Sequence, residues 1–360
     1  MAETASPKVI RGRGTAGRGF SLVEVLFVVL VMGILMGVAG SLMWGFVSNF
    51  ELTDDQAIAR RRAQDVFNIL QVPILNAGLG LPSDDPPPSA PLNNEHYFGT
   101  VNALSSPISG WNGPVQLISN DFGGRGDALR IVYSVYSGVK QVSDDDVVTF
   151  GGEPSGQKTD ALEITSPLPG GYDGITAAGS GTSHSVHSYI TFPGMGMRPI
   201  LVTGGMGTDT IDVAGMTPRT PSSGDVVTMG VIRPYHDIYL VRAGVAYVDD
   251  DSTFCFADIT DTDISAGALP KASELTGAAY RVEGIKAVRF NVELAGDAIT
   301  SVTVSVVAEG DSNITGRQSN AGTASQGFRA NYPGVVFDDE AYYEEFEMRW
   351  RTRNVEVPEA

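Results

Sequence analysis

The chain has 360 residues, 42 of them acidic and 24 basic, for a formal net charge of −18. That balance argues against a nucleic-acid ligand, because affinity for phosphates rests on Lys and Arg. The single cysteine, Cys255, excludes an intrachain disulfide. The body must therefore be held by its hydrophobic core, for which some 280 residues are enough.

The first element in chain order is apolar. Lys8, Arg11, Arg13 and Arg18, set against Glu3, precede an uncharged run from Val25 to Phe46 whose one polar residue is Ser41. As a helix that run reaches about 33 Å, enough to cross the hydrocarbon of a bilayer. The basic leader places its own side in the cytoplasm, so the remainder is expected across the membrane. A secretory signal peptide has a shorter apolar core and ends in a small-residue cleavage site. Glu24 opens the span, where an unpaired acid is costly and is a functional candidate by default. A cut between Gly19 and Phe20 would create an α-amine, the partner that this carboxylate lacks, most simply on a neighbouring subunit.

From Ser48 to Gly78 the pattern becomes amphipathic. Ala59, Ala63, Val66 and Leu70 recur at helical spacing with Phe67 and Ile74 beside them, while Asp54, Asp55, Arg60, Arg61, Gln64 and Asp65 take other faces. Thr53 with Gln56 offers a capping box and hence a local break near residue 53. Arg61 and Asp65 are spaced to pair. Pro73 predicts a kink or stop near Val72, with Gly78 as terminator. The Pro-rich stretch from Leu81 to Pro91 then reads as an extended loop.

Beyond the loop, short runs rich in Val, Ile, Thr and Tyr are cut by Gly and Pro, the pattern of an antiparallel sheet domain. The clearest strands are Ala128 to Tyr136, Ile238 to Val248, Ala287 to Leu294, Ile299 to Val307 and Glu345 to Val355. Ala-Gly-Asp-Ala between Leu294 and Ile299 signals a hairpin. In the last strand Phe346, Met348 and Trp350 alternate with Glu347, Arg349 and Arg351, so the aromatic stripe is expected in the core. Gly151 to Gly230, rich in Gly, Ser and Thr, has strand-like islands at Ser188 to Phe192 and Asp225 to Ile232 and reads as a β-rich insertion or second lobe. The expected fold is α+β: a long N-terminal helix, half membrane span and half amphipathic, packed on a mainly antiparallel sheet domain.

The ordered residues Gly19, Phe20, Ser21, Leu22, Val23 and Glu24, followed by the span, resemble the type IV pilin and pseudopilin family. The resemblance implies that a prepilin peptidase cuts after Gly19 and that the amine of Phe20 is methylated. It implies too that Glu24 pairs with a neighbour's N-terminus in a filament. The division it suggests is a leader over 1–19, the helix over 20–78 and an exported domain over 79–360, with the insertion at about 150–230. The chain would sit in the inner membrane through residues 25–46, its C-terminal domain periplasmic, before joining a surface pilus. Its partners would be other major and minor pilins, the peptidase and methylase, and an inner-membrane assembly platform. Asn76-Ala77-Gly78-Leu79-Gly80, Gly126 to Tyr133, Tyr280 to Leu294 and Arg351 to Asn354 are similar, in order, to segments of PilW-type minor pilins. Two departures are the absence of Pro from the span and the size of the Gly-rich region.

Side chains able to carry chemistry are few. His184 and His187 could meet as metal ligands on a helix, but their surroundings favour loop or strand. Asp249, Asp251, Asp258 and Asp261 are weak calcium candidates, as are Asp144 to Asp146 and Asp263; none has EF-hand spacing, and solvated loop ends are the commoner use. No nucleophile elbow, phosphate loop or Cys-His pair is present, so neither cofactor nor catalysis is expected. Gly33 and Gly37 make a small-residue face for helix packing in the membrane, or alternatively loosen the helix for extraction. The function expected is that of a minor pilin assisting pilus initiation at the tip, processed after Gly19. The alternative is a minor pseudopilin of a type II secretion system, and a third reading is a membrane-anchored hydrolase that uses the export signal only as a tether, for which loss of activity on substitution of His184 or an Asp would speak.

Overall fold

A computed structural model describes residues 21–81, 98, 103–104, 108–118, 126–142, 158–170, 175–176, 178, 183–194, 199–215, 235–258, 273, 279–295, 298–311, 331–332, 334–338 and 341–353. The leader, most of the Pro-rich loop and the island at 225–232 lie outside them. The chain forms two units, Met1–Thr53 and Asp54–Ala360.

In the first unit the helix α1, which runs Leu22–Leu75, carries the apolar run. Its large apolar side chains from Leu22 to Phe50 are all more than a third exposed. The helix is long and apolar enough to cross a membrane, and none of its most apolar window is buried. The break expected near Thr53 does not form. The Thr53 hydroxyl donates to the Asn49 carbonyl at 2.9 Å, one turn back inside a continuing helix, so it caps nothing.

In the second unit the remainder of α1 buries Asp55, Ala59, Ala63, Val66, Phe67, Leu70, Pro73 and Ile74. That is the expected stripe with one addition. Asp55 is only 2% exposed, because its carboxylate accepts the amide of Asp311 at 3.1 Å. Gly310 permits the approach, since a Cβ there would lie 2.8 Å from Asp55. Arg61 and Asp65 do not pair; an acid C-terminal to its base is the weaker order on a helix. The helix also passes Pro73 to Leu75, because a proline in the final turn costs only the one bond to Ile69. Gly78, at φ +68°, then turns the chain, and its amide donates to Val132 at 2.8 Å.

The strands are β1 (Ala103–Leu104), β2 (Val115–Ile118), β3 (Ala128–Lys140), β4 (Lys158–Glu163), β5 (Ser183–His184), β6 (Tyr189–Thr191) and β7 (Ile200–Gly204). Then come β8 (Thr210–Gly215), β9 (Asp237–Val248), β10 (Thr253–Asp258), β11 (Ala279–Glu283), β12 (Ile285–Ala295), β13 (Ala298–Glu309) and β14 (Tyr343–Arg351). Nine form one sheet, β11-β10-β9-β6-β7-β8-β4, with β3 along the other side of β9 and β2 outside β3. A second sheet runs β12-β13-β14, and β1 pairs with β5 in parallel. All other ladders are antiparallel.

β9 organises the large sheet. Its C-terminal half pairs with β10, from Val248 opposite Phe254 to Gly244 opposite Asp258. Its N-terminal half pairs on the same side with β6, at Leu240 opposite Ile190 and Tyr239 opposite Thr191. The strand therefore changes partners near Arg242, and the sheet forks there. Alternation along β9 sends Val241, Ala243, Val245 and Tyr247 into one core and Ala246 and Val248 into another, shared with α1, β12, β13 and Trp350. Ile238 and Leu240 belong to a third core with β4, β6, β7 and β8. The strands β4 to β8, from the Gly-rich stretch, extend the large sheet, and their core is shared with Val139 of β3 and with Ile238 and Leu240 of β9.

The small sheet shows the expected hairpin, with Leu294 opposite Ile299. The aromatic stripe of β14 is only partly buried: Trp350 is 8% exposed and meets Phe67 edge-on at 5.8 Å, but Met348 is 40% exposed. The core that takes in Trp350 does not include Met348, and β14 is an edge strand of the three-stranded sheet. It also starts earlier and stops sooner than expected, and the Arg353 amide donates to the carbonyl of Leu75 at the end of α1.

Candidate functional site

Gly19 and Phe20 lie outside the described residues. Glu24 sits in the first turn of α1, and its surroundings are specific. The Ser21 amide donates to Glu24 Oε2 at 2.9 Å, and the Glu24 amide donates to Ser21 Oγ at 3.3 Å. This is a reciprocal capping box, which satisfies two of the amides that a helix start leaves without partners. The acid also faces the positive end of the helix dipole. Its sequence signal is the Ser-x-x-Glu pattern at 21–24, immediately before the apolar run. The charge at the head of the span therefore has a role within its own chain.

Gly33 and Gly37 are on the bare part of α1, where a Cβ at either would meet no atom within 4 Å. Among the described residues nothing requires glycine at these positions. The calcium candidates separate. Asp249 and Asp251 belong to the turn between β9 and β10, where Asp249 Oδ1 accepts the amides of Asp251 and Thr253, both at 2.9 Å. Asp249 is 6% exposed and closes the turn, with Ser252 in the left-handed region at φ +59°. Asp258 is at the opposite end of β10 and Asp261, with Asp144 to Asp146 and Asp263, lies outside the described residues. Among the described residues no three metal-ligating side chains gather.

The histidines do not share a helix. His184 is in β5, with Nε2 buried and unbonded, and burial lowers its pKa. His187 is in a short 3-10 turn, Val186–Ser188, whose first amides are capped by Ser185. Its Nε2 lies 2.9 Å from Asp258 Oδ1, with both side chains almost wholly buried. The two meet where the sheet forks, and their contact ties the turn before β6 to the end of β10. Spacing gave no hint of this, since 71 residues separate them.

Cys255 and Tyr247 face each other across β10 and β9. Burial, reinforced by the Asp249 carboxylate, pushes the thiol from its ordinary 9.0 up to about 12, so it is an inert core group.

No family model, no curated protein and no solved structure matches this chain. What the geometry defines is a class: a chain with one long, bare, apolar N-terminal helix and a mainly antiparallel β-sheet domain into which the later turns of that helix pack. A single-span membrane anchor carrying a folded β domain has this layout, and so has a pilin.

Proposed function

We propose that the protein is a minor type IV pilin that helps initiate a pilus and sits at its tip. A prepilin peptidase cuts after Gly19, and the new amine of Phe20 is methylated. Glu24 then exchanges its contact with the Ser21 amide for the N-terminus of a neighbouring subunit, while Gly33 and Gly37 let neighbouring helices approach. The observation that carries the reading is the fixed order of Gly19, Phe20 and Glu24 before an apolar helix whose large apolar side chains are exposed among the described residues. The size and irregularity of the β domain support a scarce subunit over a repeating one. A minor pseudopilin of a type II secretion system shares the N-terminal features, and the genes beside its own distinguish the two.

The test has two parts. Gly19→Ala should leave an uncut precursor by mass spectrometry of the N-terminus; product of normal mature length would refute the processing step. Glu24→Ala should lower recovery in sheared filaments, and Glu24→Gln separates the two roles of this residue. Glutamine keeps an oxygen for the Ser21 amide but no charge for an α-amine. Normal filament recovery in Glu24→Gln would reduce the residue to a helix cap.

A further inference from the structure

Among the described residues β14 pairs on one side only, with β13. A free sheet edge is a template for a further strand, and proteins commonly blunt it with charge. Here the charges are ordered. From Glu345 the strand reads Glu-Phe-Glu-Met-Arg-Trp-Arg, with acids at 345 and 347, bases at 349 and 351 and Met348 at the centre. Glu345, Glu347, Arg349 and Arg351 are all exposed, and their alternate spacing puts them on one face of the strand.

That order is its own complement when reversed. Antiparallel to a second copy, across a two-fold axis at Met348, Glu345 lies opposite Arg351 and Glu347 opposite Arg349, each pair occurring twice. Opposite charges directly across a ladder attract, and like charges repel. A slip of two residues sets Glu347 or Arg349 against its own copy, a slip of one turns the faces over, and a parallel pairing in register sets every charge against its like. On the other face Met348, 40% exposed, meets its own copy, and the partly buried Phe346 lies opposite Trp350. Glu347 and Arg351 have no bond or ion pair among the described residues. Arg349 holds Ser301 and Glu293 through Nε and Nη2, which leaves donors of its guanidinium for a second carboxylate. Glu345 accepts the Tyr332 hydroxyl at 2.8 Å, and a carboxylate has room for more than one donor. We propose that the protein forms a two-fold dimer through β14, which joins two three-stranded sheets into one. Nothing in the proposed filament role uses this edge.

The experiment uses the full chain in detergent, with Cys255→Ala as background. Cα atoms directly opposite in an antiparallel ladder are about 5 Å apart, within reach of a disulfide. Met348→Cys should therefore give a linked dimer on oxidation with diamide. Glu345→Cys, on the same edge but about 20 Å from its own copy, should not. In sedimentation equilibrium Glu347→Arg and Arg349→Glu should each weaken dimerisation roughly tenfold or more, with the melting temperature of the Glu347→Arg chain unchanged. Mixed together, the two variants restore both opposite-charge pairs and should associate as tightly as the original chain. The proposal is overturned if the chain stays monomeric, which would leave the edge to a strand of another protein. It is overturned too if the two cysteine variants link alike, or if the mixture dissociates as readily as either variant alone, which would place the contact elsewhere.

Discussion

Gly284 and Arg62 offer a quantitative test of how α1 is held on the small sheet. Gly284 lies between β11 and β12 at φ +75°, and a Cβ there would sit 2.5 Å from Arg62 Cζ. Gly284→Ala therefore carries two costs. The left-handed backbone costs about 1 kcal/mol for a residue with a side chain. The guanidinium must also move, losing its bond to the Glu309 carbonyl at 2.6 Å and its contact with Asp311. A bond from a charged donor is worth about 2 kcal/mol, and the Asp311 contact adds little, because that carboxylate is 63% exposed. The expected total is about 3 kcal/mol. Gly138 supplies the control, since it has φ +79° but no atom within 4 Å of its Cβ, so Gly138→Ala should cost about 1 kcal/mol. Urea denaturation of the full chain in detergent, followed by near-ultraviolet dichroism of buried Trp111 and Trp350, gives both values. In an Arg62→Ala background, Gly284→Ala should fall to the backbone cost alone. Equal costs for the two glycines, or no change in that background, would refute the clamp.

Two more predictions concern buried titratable groups. Because the folded state raises the Cys255 thiol from 9.0 to about 12, folding binds that proton more tightly. The stabilisation is fully present below pH 9 and is lost as pH climbs toward 12. Cys255→Ala should therefore flatten the alkaline fall in the urea midpoint at its start, before Tyr342, itself raised from 10.0 to about 12, begins to contribute. An unchanged slope between pH 9 and 10 would show that the thiol is not the group responsible. At the fork of the sheet, Asp258→Ala should cost about 2 kcal/mol, whereas Asp258→Asn should cost less because an amide oxygen can still meet His187. Identical losses in thermal melts of the two variants would mean that the contact with His187 contributes nothing.

Periodicity is a strong guide where one face of an element is buried. It located the helical stripe from Ala59 to Ile74 and the strands that became β3, β9, β12 and β13, because each has neighbours along its whole length. It failed where burial depends on what lies beyond the element. Met348 has the right spacing for the core and is 40% exposed, outside the core that takes in Trp350, because which residues of a face are covered depends on what packs over it and no single strand encodes that. Asp55 has a surface composition and is buried because Gly310, more than 250 residues away, leaves room for its carboxylate. The pairing of His187 with Asp258 and the partner change along β9 are of the same kind, since both are contacts between distant segments. The Ser21–Glu24 capping box is the opposite case. It is local, both partners lying within one turn, so the Ser-x-x-Glu pattern at 21–24 carries it in the sequence.

That local contact bears on the span itself. Covering one large apolar side chain is worth about 1.5 kcal/mol or more, and the bare stretch of α1 carries on the order of twenty of them, so its exposure to water would cost roughly 30 kcal/mol. This exceeds the about 5 to 15 kcal/mol by which a domain is normally stable, so the helix demands a cover from hydrocarbon or from other helices. Glu24 does not by itself say which. Bound to the Ser21 amide, the acid is already partly compensated within its own chain, and an anchor that stayed in a bilayer could keep it in that state. The glycines tilt the balance. In lipid alone Gly33 and Gly37 give away about 1 kcal/mol each of helix propensity for no contact at all, whereas against a second helix the same two positions are where backbones can close up. The reading as a filament subunit therefore rests on the bare helix, its two unoccupied glycines and the order of the residues around Glu24 taken together, and less on the oddity of the charge.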